Sequence, residues 1–414
     1  MSHQVIYSPN IHLFAYHFQN SKNPKQLYEK CDELLDKLKI SDFNLKQRIN
    51  LDKELDRFRV DLIKEEEIKN DNVSPPFEGK LLLDEQQIKI EGFAYPLRID
   101  DSYALALNLR CPEEGQNRQK NVSFLKQFNP DNCLLPEFIA GSLGQTLLIT
   151  AWLPEKQREL YSEPWQLPDD QQKLSEIALI ELANECLNAL IPDCQKQPKL
   201  HRQGQLFGSP IFEYGILSKN TVYQHILVWL FCTHEADKKF ANCYQDFIDL
   251  FCYRNQIIQS YTHSREIFPM LEADYKNIEQ EIDNLENLTK RDNLTEEDLN
   301  QLEVQIKNLV QTASKYARYL RQLEKKRHTI AVHTRNYVEK LRVIKSIIEH
   351  EYSSWLGNDI SFLEEFSRKK CRRFQEQIQA DLAYFAPGSG LIDQAIASIR
   401  VLVEIEQLRI NRQR

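Results

Sequence analysis

The polar and apolar positions follow two different rules in the two halves of the chain. Up to about residue 222 the pattern changes every ten to twenty residues. "PNIHLFAYHF" reads as a strand. "KQLYEKCDELLDKLK" (25–39) sets Leu27, Cys31, Leu34, Leu35 and Leu38 on one helical face. The charged stretch 51–72 reads as helix then loop, and the two prolines of "NVSPPFEG" break it. "KLLLD", "QIKIEGFAYPLRI" and "YALALNLRC" follow as short β-rich runs, a pattern that predicts an antiparallel meander. "QTLLITAWLP" (145–154) predicts a further strand. Residues 173–191 predict an amphipathic helix stopped by Pro192, and "ILVWLFC" (226–232) reads as buried core.

From Phe240 onward the rule is a heptad. One register runs from Phe240 through Phe247, Leu250, Arg254, Ile257, Ser264, Phe268 and Leu271 to Leu285, with Pro269 predicting a kink. A second runs from Leu299 through Leu302, Leu309, Tyr316, Leu323, Arg327, Ile330, Thr334 and Leu341 to Ile348. Between them, Thr295 with Asp298 three places on resembles a capping box. Two such runs joined by a short turn predict a long antiparallel hairpin whose second helix, of about 60 residues, spans about 90 Å. "APGSG" (386–390) predicts a hinge before a last helix. The expected class is α+β: an antiparallel-sheet head with helices (1–222), a coiled-coil hairpin turning near 290–295 (223–356), and C-terminal helices (357–414).

Composition narrows function by exclusion. A net charge of −8 argues against a dedicated nucleic-acid binder. No stretch approaches 18 consecutive apolar residues, so no membrane span is expected within the chain. Nine cysteines without a CxxC read as free thiols in a reducing compartment. His328 and His333, five apart on a helix, cannot easily share an ion, and "CTHEAD" lacks zinc-ligand spacing. No catalytic signature, cofactor loop or metal set is found, so neither an enzymatic activity nor a cofactor is expected.

Three groups of residues remain as candidates. Arg254 and Arg327 sit at heptad core positions and need acceptors, for which Ser264, Thr334 and Glu324 are the local choices. They fit either a register-fixing polar layer or an anion site. Lys315, Arg318, Arg321, Lys325, Arg335 and Arg342 belong to a basic stretch, 315–345, with Tyr316, Tyr319 and Tyr337 interleaved. It fits a solvated coiled-coil flank, or a face for nucleic acid or another anionic partner. "SRKKCRRF" (367–374) is a second basic cluster on one helix, which fits a solvated face or contact with an anionic membrane surface. Arg409, Arg412 and Arg414 close the last helix, which has no C-cap signal, in the manner of positive charges before a membrane segment.

This order of an α/β head, long antiparallel helices and an uncapped basic terminal helix resembles the cytosolic part of the CorA-type divalent-cation channels. The resemblance is one of architecture, and the Gly-Met-Asn signature of that family is absent from the sequence. It implies a non-enzymatic sensor or oligomerisation region at the cytoplasmic face of a membrane, self-associating through its helices and attached beyond Arg414. The alternatives are a soluble coiled-coil scaffold or adaptor, and a nucleic-acid-binding protein using 315–345. The ligand of the head is not readable from the sequence.

Overall fold

The structure is a computed structural model that describes residues 4–40, 42–53, 57–68, 73–83, 86–111, 119–162, 169–195, 197–215, 225–291, 294–349 and 359–413. It is α+β, as the patterning predicts. Two compact units divide it: Met1–Asn255 with Asn336–Phe366, and Gln256–Arg335 with Ser367–Arg414.

The first unit, the head, is built on one ten-stranded sheet. Its strands are β1 (Val5–Phe18), β2 (Arg59–Asp61), β3 (Pro76–Leu83), β4 (Gln86–Ile99), β5 (Ser102–Arg110), β6 (Gln119–Asn121), β7 (Gly144–Trp152), β8 (Leu200–Leu206), β9 (Ser209–Tyr214) and β10 (His225–Phe231). The spatial order is β2-β4-β5-β1-β7-β10-β9-β8, with β3 on β4 and β6 on β1. β3, β4 and β5 form the expected antiparallel meander. The sheet as a whole is mixed, because β10 runs parallel to β7. A parallel pair needs a long crossover. Here 153–224 supplies it, including α4 (Glu155–Ser162) and α5 (Asp169–Leu190).

β10 lies between β7 and β9, so the head extends past residue 222 and takes in the start of the first long helix. The stretch 51–72 differs from expectation as well. Its described residues hold β2 and a 3-10 turn at Glu65–Glu67, and Val60 is buried where β2 pairs with β4.

One face of the sheet is apolar. It packs on α1 (Gln26–Lys37), a 3-10 segment at Val122–Phe128, and α5, through Leu27, Leu34, Leu125, Phe128, Leu187 and their neighbours. The opposite face meets α6 (His234–Asn242) and the start of α7 (Tyr244–Thr289). The rings of Phe14 and Phe251 lie 5.3 Å apart, those of Trp229 and Phe240 5.2 Å, and Tyr16 donates to the Ile248 carbonyl at 2.7 Å.

The second unit is a bundle of three helices: the later part of α7, the earlier part of α8 (Glu296–Glu349), and α10 (Arg372–Gln413). The two short helices of the head not yet placed are α2 (Leu45–Arg48) and α3 (Pro136–Ile139), and α9 (Ser361–Glu365) precedes a wide π turn at Phe366–Cys371. α8 has 54 residues, or about 80 Å. The capping box is made as read: Asp298 N–H donates to Thr295 Oγ1 at 3.1 Å, and Thr295 N–H to Asp298 Oδ2 at 2.8 Å.

α7 and α8 run antiparallel in the bundle, with Glu281 beside Gln305 and Asp274 beside Lys315. α10 runs along α7, pairing Phe374 with Tyr261 and Phe385 with Phe268. Leu271, Ile278, Leu309, Tyr316, Leu323, Ile330, Ile378, Phe385 and Ile392 fill the centre.

The expected hinge at 386–390 is not one. α10 runs through it without a break, with Pro387 inside the helix. A Cβ on Gly388 would stand 2.5 Å from the Tyr316 hydroxyl, which donates to the Phe385 carbonyl at 2.7 Å. The glycine serves close packing against a tyrosine rather than flexibility.

Candidate anion-binding groove

The two heptad arginines go to different units and different partners. Arg254 is buried in the head, and its acceptor is Glu213 of β9, at 2.6 Å from Nη2. That carboxylate lies 3.3 Å from His225 Nε2. His225 Nδ1 is 2.9 Å from Thr146 Oγ1, which accepts from Asn255 Nδ2 at 3.2 Å. A neutral His225 gives a consistent set: Asn255 amide to Thr146, Thr146 hydroxyl to His225 Nδ1, with Nε2–H facing the Glu213 carboxylate at 3.3 Å. This chain needs a neutral imidazole and an ionised carboxylate.

Their acidities agree. Burial pushes the Glu213 carboxyl up, but Arg254 and the His225 hydrogen bond outweigh it and hold it down at about 2. Burial, reinforced by Arg254, takes His225 down to about 4. Gly144, with φ +104°, leaves room for Asn255, whose Oδ1 would be 2.8 Å from any Cβ there. The Arg254 guanidinium also lies over the Phe366 ring, 4.1 Å from its centroid. Every charged group here is buried, and the cluster ties α7 to β9 through Arg254 and to β7 through Asn255.

Ser264 and Thr334, proposed to share a layer with these arginines, do not join it. Their hydroxyls bond to the carbonyls of Tyr261 (2.6 Å) and Ile330 (2.7 Å) on their own helices. The sequence could not place Glu213 with Arg254. They are 41 residues apart and meet only through the sheet.

Arg327 lies in the bundle and hydrogen-bonds Gln379 of α10. Its side chain is half-buried at an open groove of about 1080 Å³ between α8 and α10. Arg321, Lys325, Arg327 and His328 form the α8 wall, with Glu324 among them. Gln375, Glu376 and Gln379 form the α10 wall. Ala331, Ala380 and Ala383 line the space between. Among the described residues, Arg321, Lys325 and Arg327 have no carboxylate within ion-pair distance; Arg321 only reaches back to its own Ala317 carbonyl at 3.4 Å. Glu376 is held by Arg372 at 2.7 Å, which offsets its charge.

Of the six cations of the predicted anionic-partner face, Arg321 and Lys325 enter this groove. Lys315 is taken by Asp274 at 2.9 Å, and Arg318 rests over Tyr319, 5.8 Å from the ring centre. Arg335 is exposed further along α8, and Arg342 is exposed on the part of α8 that belongs to the head. Tyr316 and Tyr337 are buried, so the interleaved tyrosines are not a surface set. Arg409 pairs with Glu406 at 3.1 Å, Arg412 is exposed, and Arg414 lies outside the described residues.

The sequence marked His328 only as a poor metal ligand, and gave no sign of the α10 wall. Heptads locate a helix pair, but the register of a third helix against it leaves no local mark. The described residues contain no cluster of three or more His, Cys, Asp or Glu able to hold a metal. No protein-family model, curated protein or solved structure matches the chain.

Proposed function

We propose that this chain is a non-enzymatic binding protein, an adaptor whose bundle takes an anionic partner in the α8–α10 groove. The supporting observation is the convergence of Arg321, Lys325 and Arg327 on one open groove without carboxylate partners. Cations left unpaired beside a concave surface raise the local concentration of anions and speed their capture.

The test is salt-titrated binding of heparin, a generic polyanion, by isothermal titration calorimetry. Wild-type protein binds, the affinity falls as salt rises, and Arg321→Glu with Lys325→Glu abolishes binding. Heparin binding that survives this double reversal would place the anion site elsewhere.

A second reading, self-association or membrane-proximal contact through the end of α10, is favoured by a different observation. Among the described residues of that helix, Ile399 is the last buried one. Beyond it, Val401 (54% exposed), Ile405 (52%) and Leu408 (60%) fall on one face, spaced four and three. Among the described residues no helix is long and apolar enough to cross a membrane. Light scattering on Ile405→Glu/Leu408→Glu tests the self-association arm: a drop in oligomer mass supports it, an unchanged monomer removes it.

A further inference from the structure

We infer that the occupant of the groove is an acidic amphipathic helix that packs as a fourth helix of the bundle. The inference rests on the anionic-partner reading and narrows it.

Three features of the groove favour a helix over another polyanion. The first is its small residues. Ala331 on α8 and Ala380 and Ala383 on α10 are part of the lining, the last two exposed. Helices pack at axis separations of about 8–10 Å, the low end of which requires small residues at the contact. Small residues along the groove let a further helix approach α8 and α10 closely, as in a four-helix bundle. The groove lining on α8 runs from Arg321 to Ala331, about 15 Å, which matches about three turns of an incoming helix.

The second feature is spacing. Arg318 and Lys325 are seven residues apart, and so are Arg321, His328 and Arg335; all five are exposed. Rows with a heptad period face the flanking positions of a partner helix turn for turn, as in coiled-coil pairing. The opposite wall is amide-rich, Gln375 and Gln379, with Glu376 already bonded to Arg372. An incoming helix would thus carry its carboxylates on the side toward α8 and neutral polar residues on the side toward α10.

The third feature concerns nucleic acid. Single strands are held by aromatic platforms beside a cationic track. Among the described residues no Phe, Tyr or Trp lines the groove, and His328 is its one ring. Tyr319, the half-exposed tyrosine nearest to it in sequence, lies about 140° around the helix from Glu324. The cations have a polymer-binding charge without the stacking surface.

The experiment uses the full chain and four fluorescent probes. Two are monomeric 18-residue amphipathic helices with the same Ala/Leu seam, one flanked by Glu and one by Lys. The third is the Glu-flanked peptide with two prolines, which cannot be helical, and the fourth is a single-stranded oligonucleotide of the same charge. Anisotropy should report binding of the Glu-flanked helix, at least tenfold weaker binding of its proline form, and none of the Lys form. Arg321→Glu/Lys325→Glu should reverse the preference between the Glu and Lys helices. Ala380→Met, and independently Ala383→Met, should weaken the Glu helix at least tenfold by crowding the groove, with unfolding curves unchanged.

Equal binding of the helical and proline peptides, or no effect of either methionine, overturns the helix inference. Oligonucleotide binding that is sensitive to the charge reversal, without peptide binding, overturns it while leaving an anion groove in place. Failure of every probe, heparin included, removes the anion-groove reading itself.

Discussion

Arg254 and Arg327 occupy the same kind of heptad position in two successive helices, and the fold treats them oppositely. In the head, Arg254 is 4% exposed and locked to Glu213. In the bundle, Arg327 reaches only a neutral amide at the wall of an open groove. The first charge is compensated inside the fold. The second has no carboxylate within ion-pair distance among the described residues. A heptad pattern alone cannot tell these cases apart, because it records position on the helix and not what stands opposite. The contrast extends to the sheet, whose α1/α5 face is apolar while the α6/α7 face buries His12, Glu213 and His225.

Acidification should break the contrast most strongly. Burial lowers His12 to about 3, with Arg110 adding to it, and lowers His225 to about 4. Unfolded histidine titrates near pH 6.5. Below that pH the unfolded chain binds protons that the folded head refuses, so stability falls, by about 1.4 kcal/mol per pH unit for each histidine. Between pH 6.5 and 4.5 the two together remove about 5 kcal/mol. Glu213 acts in the same direction at lower pH. Its contribution is complete above the unfolded carboxylate value and disappears as pH falls toward about 2. Urea unfolding followed by tryptophan fluorescence across this range should show the head destabilising first, since Trp152 and Trp229 are both in its sheet.

Next in size is Arg254→Met, which leaves Glu213 buried without its guanidinium and should cost about 3–5 kcal/mol in the same assay. Adding Glu213→Gln should restore part of that loss, because the double variant no longer buries an uncompensated charge. A loss under about 1 kcal/mol for Arg254→Met would mean that the cluster does not tie α7 to the sheet. Smaller again is Gly388→Ala. A hinge glycine in a helix would gain about 1 kcal/mol from alanine. A glycine packed against Tyr316 should instead lose about 1–3 kcal/mol by overpacking. The sign of the shift in the thermal midpoint decides between them. Arg327→Gln should be the smallest, within about 0.5 kcal/mol of wild type, as for a solvent-facing substitution.

What could be read from the sequence follows the same division. Local periodicity gave away the meander, α1, α5, the two long helices and the Thr295–Asp298 cap. Readings that needed a distant partner did not survive as made. Residues 51–72 look helical until β4 supplies a strand neighbour for Arg59–Asp61. "APGSG" looks like a hinge until Tyr316 fills the space over Gly388. Arg321 and Lys325 were visible as part of a basic stretch, but the stretch does not act as one face: Lys315 is paired with Asp274 and Arg342 lies on the head. The alanines of the groove lining were invisible, since Ala331, Ala380 and Ala383 carry no chemistry of their own.

The most direct measurement is the binding isotherm of the Glu-flanked helix on Arg327→Gln protein whose unfolding curve superimposes on wild type. Loss of one groove charge should weaken binding about fivefold, the equivalent of about 1 kcal/mol. Unchanged affinity at unchanged stability would contradict the account, because Arg327 would then be neither a structural charge nor part of a binding groove.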